Sequence, residues 1–143
     1  MRAMVIALIG AALAVLPARA QPPAAEAPAN SAPLTLGGVT LLQFRAAAGG
    51  YSPEQRRSQI QSRIIEILSH AELGPRDVRV VPGPGGQSAT IQVGPMLFVT
   101  ATDADARANQ STPEQLANTW AENFRRGFAA AKPRPLPASP PPK

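Results

Sequence analysis

The chain has 143 residues, a formal net charge of +5, 17 prolines and no cysteine. This length allows one small domain, and the lack of cysteine excludes both a disulfide framework and a lipid-modified thiol. Residues 34–131 hold nine arginines and eight acidic residues, so the part expected to fold is nearly neutral. It therefore lacks the basic footprint that nucleic acid binding requires, and no nucleic acid partner is expected.

The N-terminus has the pattern of a secretory signal peptide. Arg2 supplies the positive charge, residues 4–16 are almost entirely apolar, and Ala18-Arg19-Ala20 has the small-x-small pattern that signal peptidase reads. The apolar run is short for a membrane span. We expect residues 1–20 to be removed, leaving a periplasmic or secreted chain that does not span a membrane. Retention as an uncleaved anchor is the alternative.

Two proline-rich segments flank the part expected to fold. Residues 21–33 form a Pro/Ala-rich linker and residues 132–143 a basic, Pro-rich tail, and together they hold ten of the 17 prolines. Such segments bury too little apolar surface to offset the loss of chain entropy, so both are expected to be disordered. Residues 34–131 are then the single folded domain.

The first apolar segment of this domain, residues 39–45, predicts a strand. It is rich in residues that favour strands, and the glycine pair Gly37-Gly38 precedes it. A second glycine pair lies in the loop that follows, at residues 46–51.

A helix is predicted to begin after this loop. Ser52 suits the N-cap, Pro53 suits the first helical position, and Gln55 can complete a capping box. The helix is expected to end within residues 71–74. Its apolar face is predicted to carry Ile60, Ile64, Ile67 and Leu68. Its wetter face is predicted to carry Arg56, Arg57, Gln59, Gln61, Arg63 and Glu66.

Three strands and a second helix are predicted in the rest of the domain. The strands are residues 77–81, 89–93 and 96–102, and the last is expected to be central because its first half is apolar throughout. A capping signature at Ser111, closed by Glu114, begins the helix. Its apolar stripe consists of Leu116, Trp120, Phe124 and Phe128. The order predicts an α+β fold, a β-α-β-β-β-α sandwich with two helices on one face of a four-stranded sheet.

A polar corner is expected where the first and last strands end. Arg45 ends the first strand and Asp103 ends the last, so the two side chains would pair if these strands were neighbours with the same direction. Gly49 and Gly50 in the loop and Ser52 at the helix start would complete the corner, where free amides favour an anion. The corner is a candidate site for a small acidic ligand or a partner's carboxylate. A structural ion pair is the alternative.

Asp103 and Asp105 are the remaining candidates for chemistry. They lie two residues apart after an apolar strand, but two carboxylates are too few for a divalent cation, so no metal is expected. Asp105 is then solvated or paired, and it remains a candidate binding residue of the corner. The lone histidine, His70, is expected to terminate a helix. Since no catalytic constellation is apparent, we expect neither enzymatic activity nor a cofactor.

Three segments carry a family resemblance. They are LQFRA (42–46) leading to GYSPEQR (50–56), FVTATDADA (98–106), and PEQLA (113–117) continuing to Phe124-Arg125. In this order they resemble the extracytoplasmic N-terminal domain of bacterial small-conductance mechanosensitive channel proteins. The resemblance implies an exported sensor or interaction module beside a channel. Those proteins continue into membrane helices and this chain does not, so the module is expected here in free-standing form.

The predicted function is a non-enzymatic periplasmic interaction or sensing module, whose partner is an integral membrane protein of the channel-like class. One alternative is a periplasmic module that binds a cell-wall polymer or a small ligand. Another is a carboxylate-dependent hydrolase.

Overall fold

The computed structural model describes residues 30–132, in which five strands and three α-helices follow one another along the chain. The strands are β1 (Leu34–Leu36), β2 (Val39–Leu42), β3 (Val78–Pro82), β4 (Ser88–Val93) and β5 (Met96–Thr102). The helices are α1 (Pro53–Ser69), α2 (Asp103–Ala108) and α3 (Pro113–Ala131). The expected signal peptide, the linker through residue 29 and the tail from residue 133 lie outside the described residues.

β1 and β2 form a hairpin around a pair of glycines. Gly37 and Gly38 both have positive φ angles, 56° and 78°, which suit the two central positions of a type I′ turn. The strands pair antiparallel, with Leu36 opposite Val39. The glycine pair is therefore a hairpin turn rather than only the boundary of one strand.

The other three strands form a separate antiparallel sheet. Its order is β3-β4-β5, and β1-β2 forms a second, two-stranded sheet. The α+β class is confirmed, but the structure has sheets of two and three strands where one four-stranded sheet was expected. The tight glycine turn lets the first apolar strand pair with the segment directly before it, so β2 does not join the larger sheet.

β5 lies at an edge of the three-stranded sheet, and β4 is central. The expectation that the apolar β5 is central was therefore wrong. Phe98, Val99 and Ala101 are nevertheless buried, because both α1 and α3 pack against β5. Apolar content indicates burial, and a helix can supply that burial as well as a neighbouring strand can.

α3 contacts both sheets through its apolar stripe. Leu116, Trp120, Phe124 and Phe128 are all buried, as the spacing predicted. The Phe124 ring centroid lies 4.3 Å from that of Phe98 on β5 and 5.4 Å from that of Phe128. This one helix therefore carries the side chains that join the two sheets in a single core.

Each of the three described helices begins with a capping box. Ser52 and Gln55 cap α1 as predicted, and Thr102 and Asp105 cap α2. α3 is capped by Thr112 and Gln115, one residue later than the predicted Ser111 and Glu114. The shift follows from Pro113, which occupies the first helical position and so makes the residue before it the N-cap.

Residues at both borders of the predicted domain contact the fold. Ser31, in the expected linker, is buried, and its backbone N–H donates to the Phe44 carbonyl at 2.8 Å. Lys132, the first residue of the expected tail, donates from Nζ to the carbonyls of His70 and Leu73, at 2.7 and 2.6 Å. It thereby ties the C-terminal end of α3 to the C-terminal end of α1.

Candidate functional site

A groove of about 190 Å³ opens between α1, β5 and the loop that precedes α1. Tyr51 in the loop and Leu97 on β5 line it, and they are among the few large apolar side chains that remain exposed, at 48% and 44%. The N-terminal end of α1 lies beside this groove, and β5 passes the groove before it continues into α2. We take it as the candidate site.

The loop wall is a small hairpin of its own. Ala48 and Tyr51 exchange two backbone hydrogen bonds, each 3.1 Å long. Gly49 and Gly50 form the turn between them with φ angles of 61° and 80°. Gly49 and Gly50, both predicted site residues, therefore form the turn that positions Tyr51, and Gly49 itself lines the groove.

The predicted anion site at the start of α1 is occupied by the helix's own side chains. Ser52 Oγ accepts from the Gln55 N–H at 3.3 Å, and Gln55 Oε1 accepts from the Ser52 N–H at 2.9 Å. Ser52 thus sets where α1 begins, which determines the direction of the side chains one and two turns later. This is how it contributes to the groove.

A buried ion pair lies beneath the groove. Arg56 Nη1 and Nη2 donate to Asp105 Oδ1 and Oδ2, both at 2.7 Å, and Asp105 is fully buried. Arg56 Nη1 also donates to the Ala46 carbonyl at 2.9 Å, and its guanidinium carbon lies 4.0 Å from the centre of the Phe44 ring. The pair therefore joins α1, α2 and the loop.

The position expected for Arg56 needs correction, whereas Asp105 is paired, which was one of its two expected states. Arg56 is only 8% exposed rather than on the wetter face of α1. The sequence carries a signal for this, because Arg56 precedes Ile60 by four residues and Ile60 precedes Ile64 by four, which places all three on one face. Asp105 Oδ2 also accepts from the Thr102 N–H and hydroxyl, at 3.0 and 2.8 Å. Its carboxylate serves the fold rather than an exposed corner.

Arg63 is the second charged residue that lines the groove. Its Nη1 donates to the Phe98 carbonyl of β5 at 3.1 Å, and it makes no ion pair within residues 30–132. Arg63 lies seven residues after Arg56, two turns further along the same face of α1. Sequence reasoning missed it, because only the packed structure shows which arginine of α1 borders β5.

The outer edge of β5 faces the same groove. The Thr102 N–H points away from β4, since it donates to Asp105, and backbone direction alternates along an antiparallel strand. The N–H and C=O of Thr100 therefore also point away from β4. The Thr90 and Thr100 hydroxyls approach to 3.2 Å, as fits a directly opposed pair without ladder bonds. Thr100 thus directs an N–H and a C=O into the groove that it lines.

Arg45 and Asp103 do not form the expected pair. Asp103 pairs with Arg107 at 2.6 Å on the surface of α2, and Arg45 is exposed with no ion pair in the described part of the chain. The reason is topological, because β2 ends at Leu42 and belongs to a different sheet from β5. Neither residue lines the groove.

His70 lies at the opposite end of α1, where it is the C-cap as predicted. Its Nδ1 is 2.9 Å from Glu72 Oε1. The pKa of Glu72 is lowered, first by a hydrogen bond from the Glu72 backbone to its carboxylate and then by the hydrogen bond with His70. Both side chains are exposed, so this pair belongs to the end of the helix and not to the groove.

The described residues contain neither a metal-binding cluster nor a helix that could span a membrane. No three or more His, Cys, Asp or Glu side chains come together there as a metal site would need. Nor does any helix in residues 30–132 have the length and apolar content to cross a bilayer.

The chain was compared with family models, curated proteins and solved structures. The family model described as "Domain of unknown function (DUF8459)" matches residues 33–131, which is more than half of the chain. No curated protein and no solved structure shows a significant match.

Proposed function

The chain belongs to the DUF8459 family, and we propose that its domain is a non-enzymatic, exported interaction module that binds a partner protein through the groove. One observation carries the proposal. The groove combines an open strand edge, an arginine without an acidic partner in residues 30–132, and two exposed apolar side chains, Tyr51 and Leu97.

The dimensions of the groove favour a segment of a macromolecule over a small ligand. Its volume of about 190 Å³ is below the roughly 300–1,000 Å³ of sites that enclose drug-sized molecules. Exposed aromatic and aliphatic side chains beside a shallow groove are typical anchors of protein interfaces.

The side chains of the groove favour binding over proton transfer. Arg56 and Arg63 contribute guanidinium groups, which donate hydrogen bonds and accept none, and Arg56 is already paired with Asp105. The other polar lining groups include the amide of Gln59 and the hydroxyl of Thr100, which are hydrogen-bonding groups. Such groups recognise a ligand by charge and hydrogen bonds.

The proposed partner class is an integral membrane protein of the cell envelope, of the channel-like kind. Two of the segments that resemble the channel-associated domain, residues 50–56 and 98–106, supply much of the groove wall. Tyr51, Val99 and Thr100 are among the lining residues that lie in them. A shared recognition surface would explain why the likeness falls on these segments.

Site-specific crosslinking in cells tests this proposal. The chain has no cysteine, so a single Leu97→Cys substitution places one thiol at the groove. Val81→Cys is the matched control, because Val81 lies on β3 at the other edge of the sheet and is 40% exposed, against 44% for Leu97. We expect Leu97→Cys, and not Val81→Cys, to crosslink to an integral membrane protein in the envelope. Reaction of both thiols in intact cells with a membrane-impermeant maleimide tests export.

Three results would contradict the proposal. Equal products from both positions would show that the groove is not selective. Recovery of cell-wall fragments alone would favour the polymer-binding alternative. Thiols protected from the maleimide until the inner membrane is opened would exclude export.

A further inference from the structure

We propose that the groove binds an extended, acidic peptide segment, which pairs with the edge of β5 and places a carboxylate on Arg63. This inference rests on the proposed function and names the chemistry of the partner's binding segment.

The open part of the β5 edge is short and has defined ends. At one end the Phe98 carbonyl already accepts a hydrogen bond from Arg63 Nη1. At the other end the Thr102 N–H already donates to Asp105. Thr100 lies between them and directs one donor and one acceptor into the groove. An added strand can satisfy both groups with a single residue, as in other cases of strand addition to a sheet edge. A segment of about three residues, at about 3.3 Å per residue, spans this stretch.

The charge of the groove selects an acidic segment. Arg56 is neutralised by Asp105, whereas the bond from Nη1 to the Phe98 carbonyl is the one hydrogen bond that the Arg63 side chain makes within the described chain. None of the described residues that line the groove is acidic. A carboxylate can therefore accept from the remaining N–H groups of Arg63 in a charge-assisted hydrogen bond.

Two apolar contacts are available beside this position. Tyr51 and Leu97 are exposed and contribute to opposite walls, the loop and the strand. Apolar side chains of the bound segment can pack against these two side chains.

The chain's own C-terminal residues are a poor match for this site. Residues 133–143 contain Arg134 and Lys143 and no acidic residue, so they carry the same charge sign as Arg63. They also contain six prolines, and a proline has no backbone N–H to donate to the Thr100 carbonyl. A separate acidic partner fits both the charge and the backbone requirement.

Selection from a displayed library of random heptapeptides tests the inference with the full secreted chain. We expect the selected peptides to be enriched in Asp or Glu. Arg63→Gln should weaken their binding by about tenfold or more in Kd, because a charge-assisted bond is lost. Arg79→Gln is the matched control, since Arg79 on β3 also donates to a carbonyl at 3.1 Å, that of Gly94, and should leave Kd unchanged.

Methylation of single backbone nitrogens in a selected peptide tests the strand pairing. Methylation of the residue opposite Thr100 should abolish binding, and methylation of the other residues should not. In the complex with the unmodified peptide, the Thr100 amide should become protected from hydrogen exchange.

Several results would overturn the inference: no selected binders, no enrichment of acidic residues, equal Kd for Arg63→Gln and wild type, or a dimer whose own contact seals β5. Each can occur while Leu97→Cys still crosslinks to a membrane protein. Failure of this inference is therefore distinguishable from failure of the proposed function.

Discussion

At the scale of single residues, the Arg56–Asp105 pair joins the elements that form the groove. The two side chains are 49 positions apart in sequence, and their hydrogen bonds reach the loop, the start of α2 and the edge of β5. Every wall of the groove therefore meets this pair. A change in either residue is expected to disturb the fold before it disturbs binding.

Asp105→Asn should lower the free energy of unfolding by about 3–5 kcal/mol, since it leaves a buried guanidinium without its counter-charge. Urea denaturation measures this. Asp103→Asn is the control, because Asp103 and Arg107 pair on the surface, and its expected loss is below about 1 kcal/mol. Similar losses in the two variants would contradict a structural role specific to Asp105.

At the scale of elements, the close approach of α3 to the β1-β2 hairpin depends on a glycine. A Cβ placed on Gly127 would lie 2.9 Å from the Leu36 carbonyl oxygen and 2.9 Å from Leu41 Cδ2. Glycine normally weakens the interior of a helix. At this position it allows the helix to rest directly on the backbone of β1.

Gly127→Ala should therefore destabilise the protein by about 1–3 kcal/mol, because α3 and the hairpin must move apart. Thermal unfolding followed by circular dichroism measures the change. At an open helical position the same substitution would stabilise by about 0.5–1 kcal/mol. A rise in Tm would thus show that the helix does not approach β1 so closely.

At the scale of the whole molecule, two separate sheets share one core because α3 contacts both. Trp120 on α3 meets Phe44, which follows the hairpin, with ring centroids 5.8 Å apart. One helical turn further along α3, Phe124 meets Phe98 of the larger sheet. Both sheets therefore pack apolar side chains against this helix.

We therefore expect the domain to unfold in one cooperative transition. Urea curves from Trp120 fluorescence and from far-ultraviolet circular dichroism should coincide in midpoint and slope. The fluorescence reports one residue, since Trp120 is the only tryptophan in the sequence. Two resolved midpoints would show that the hairpin and the three-stranded sheet unfold separately.

Much of the local structure could be predicted from sequence. The cap at Ser52, the stripe from Leu116 to Phe128 and the α+β class depend on spacings of a few residues, and the structure confirms them. The groove could be predicted only in part. Gly49 lines it, whereas Arg45 and Asp103 lie outside it, and Arg63 was expected only on the wetter face of α1.

The amino-acid sequence by itself determined where the helices begin, which faces of them are apolar and where the chain can turn. Backbone geometry imposes those patterns within about one helical turn or two strand residues. Only the tertiary structure decided that β2 leaves the larger sheet, that β5 lies at its edge, and that Arg56 is buried while Arg63 borders a groove. These outcomes depend on contacts between residues 35 and 49 positions apart, whose free energy is realised only when the elements pack together.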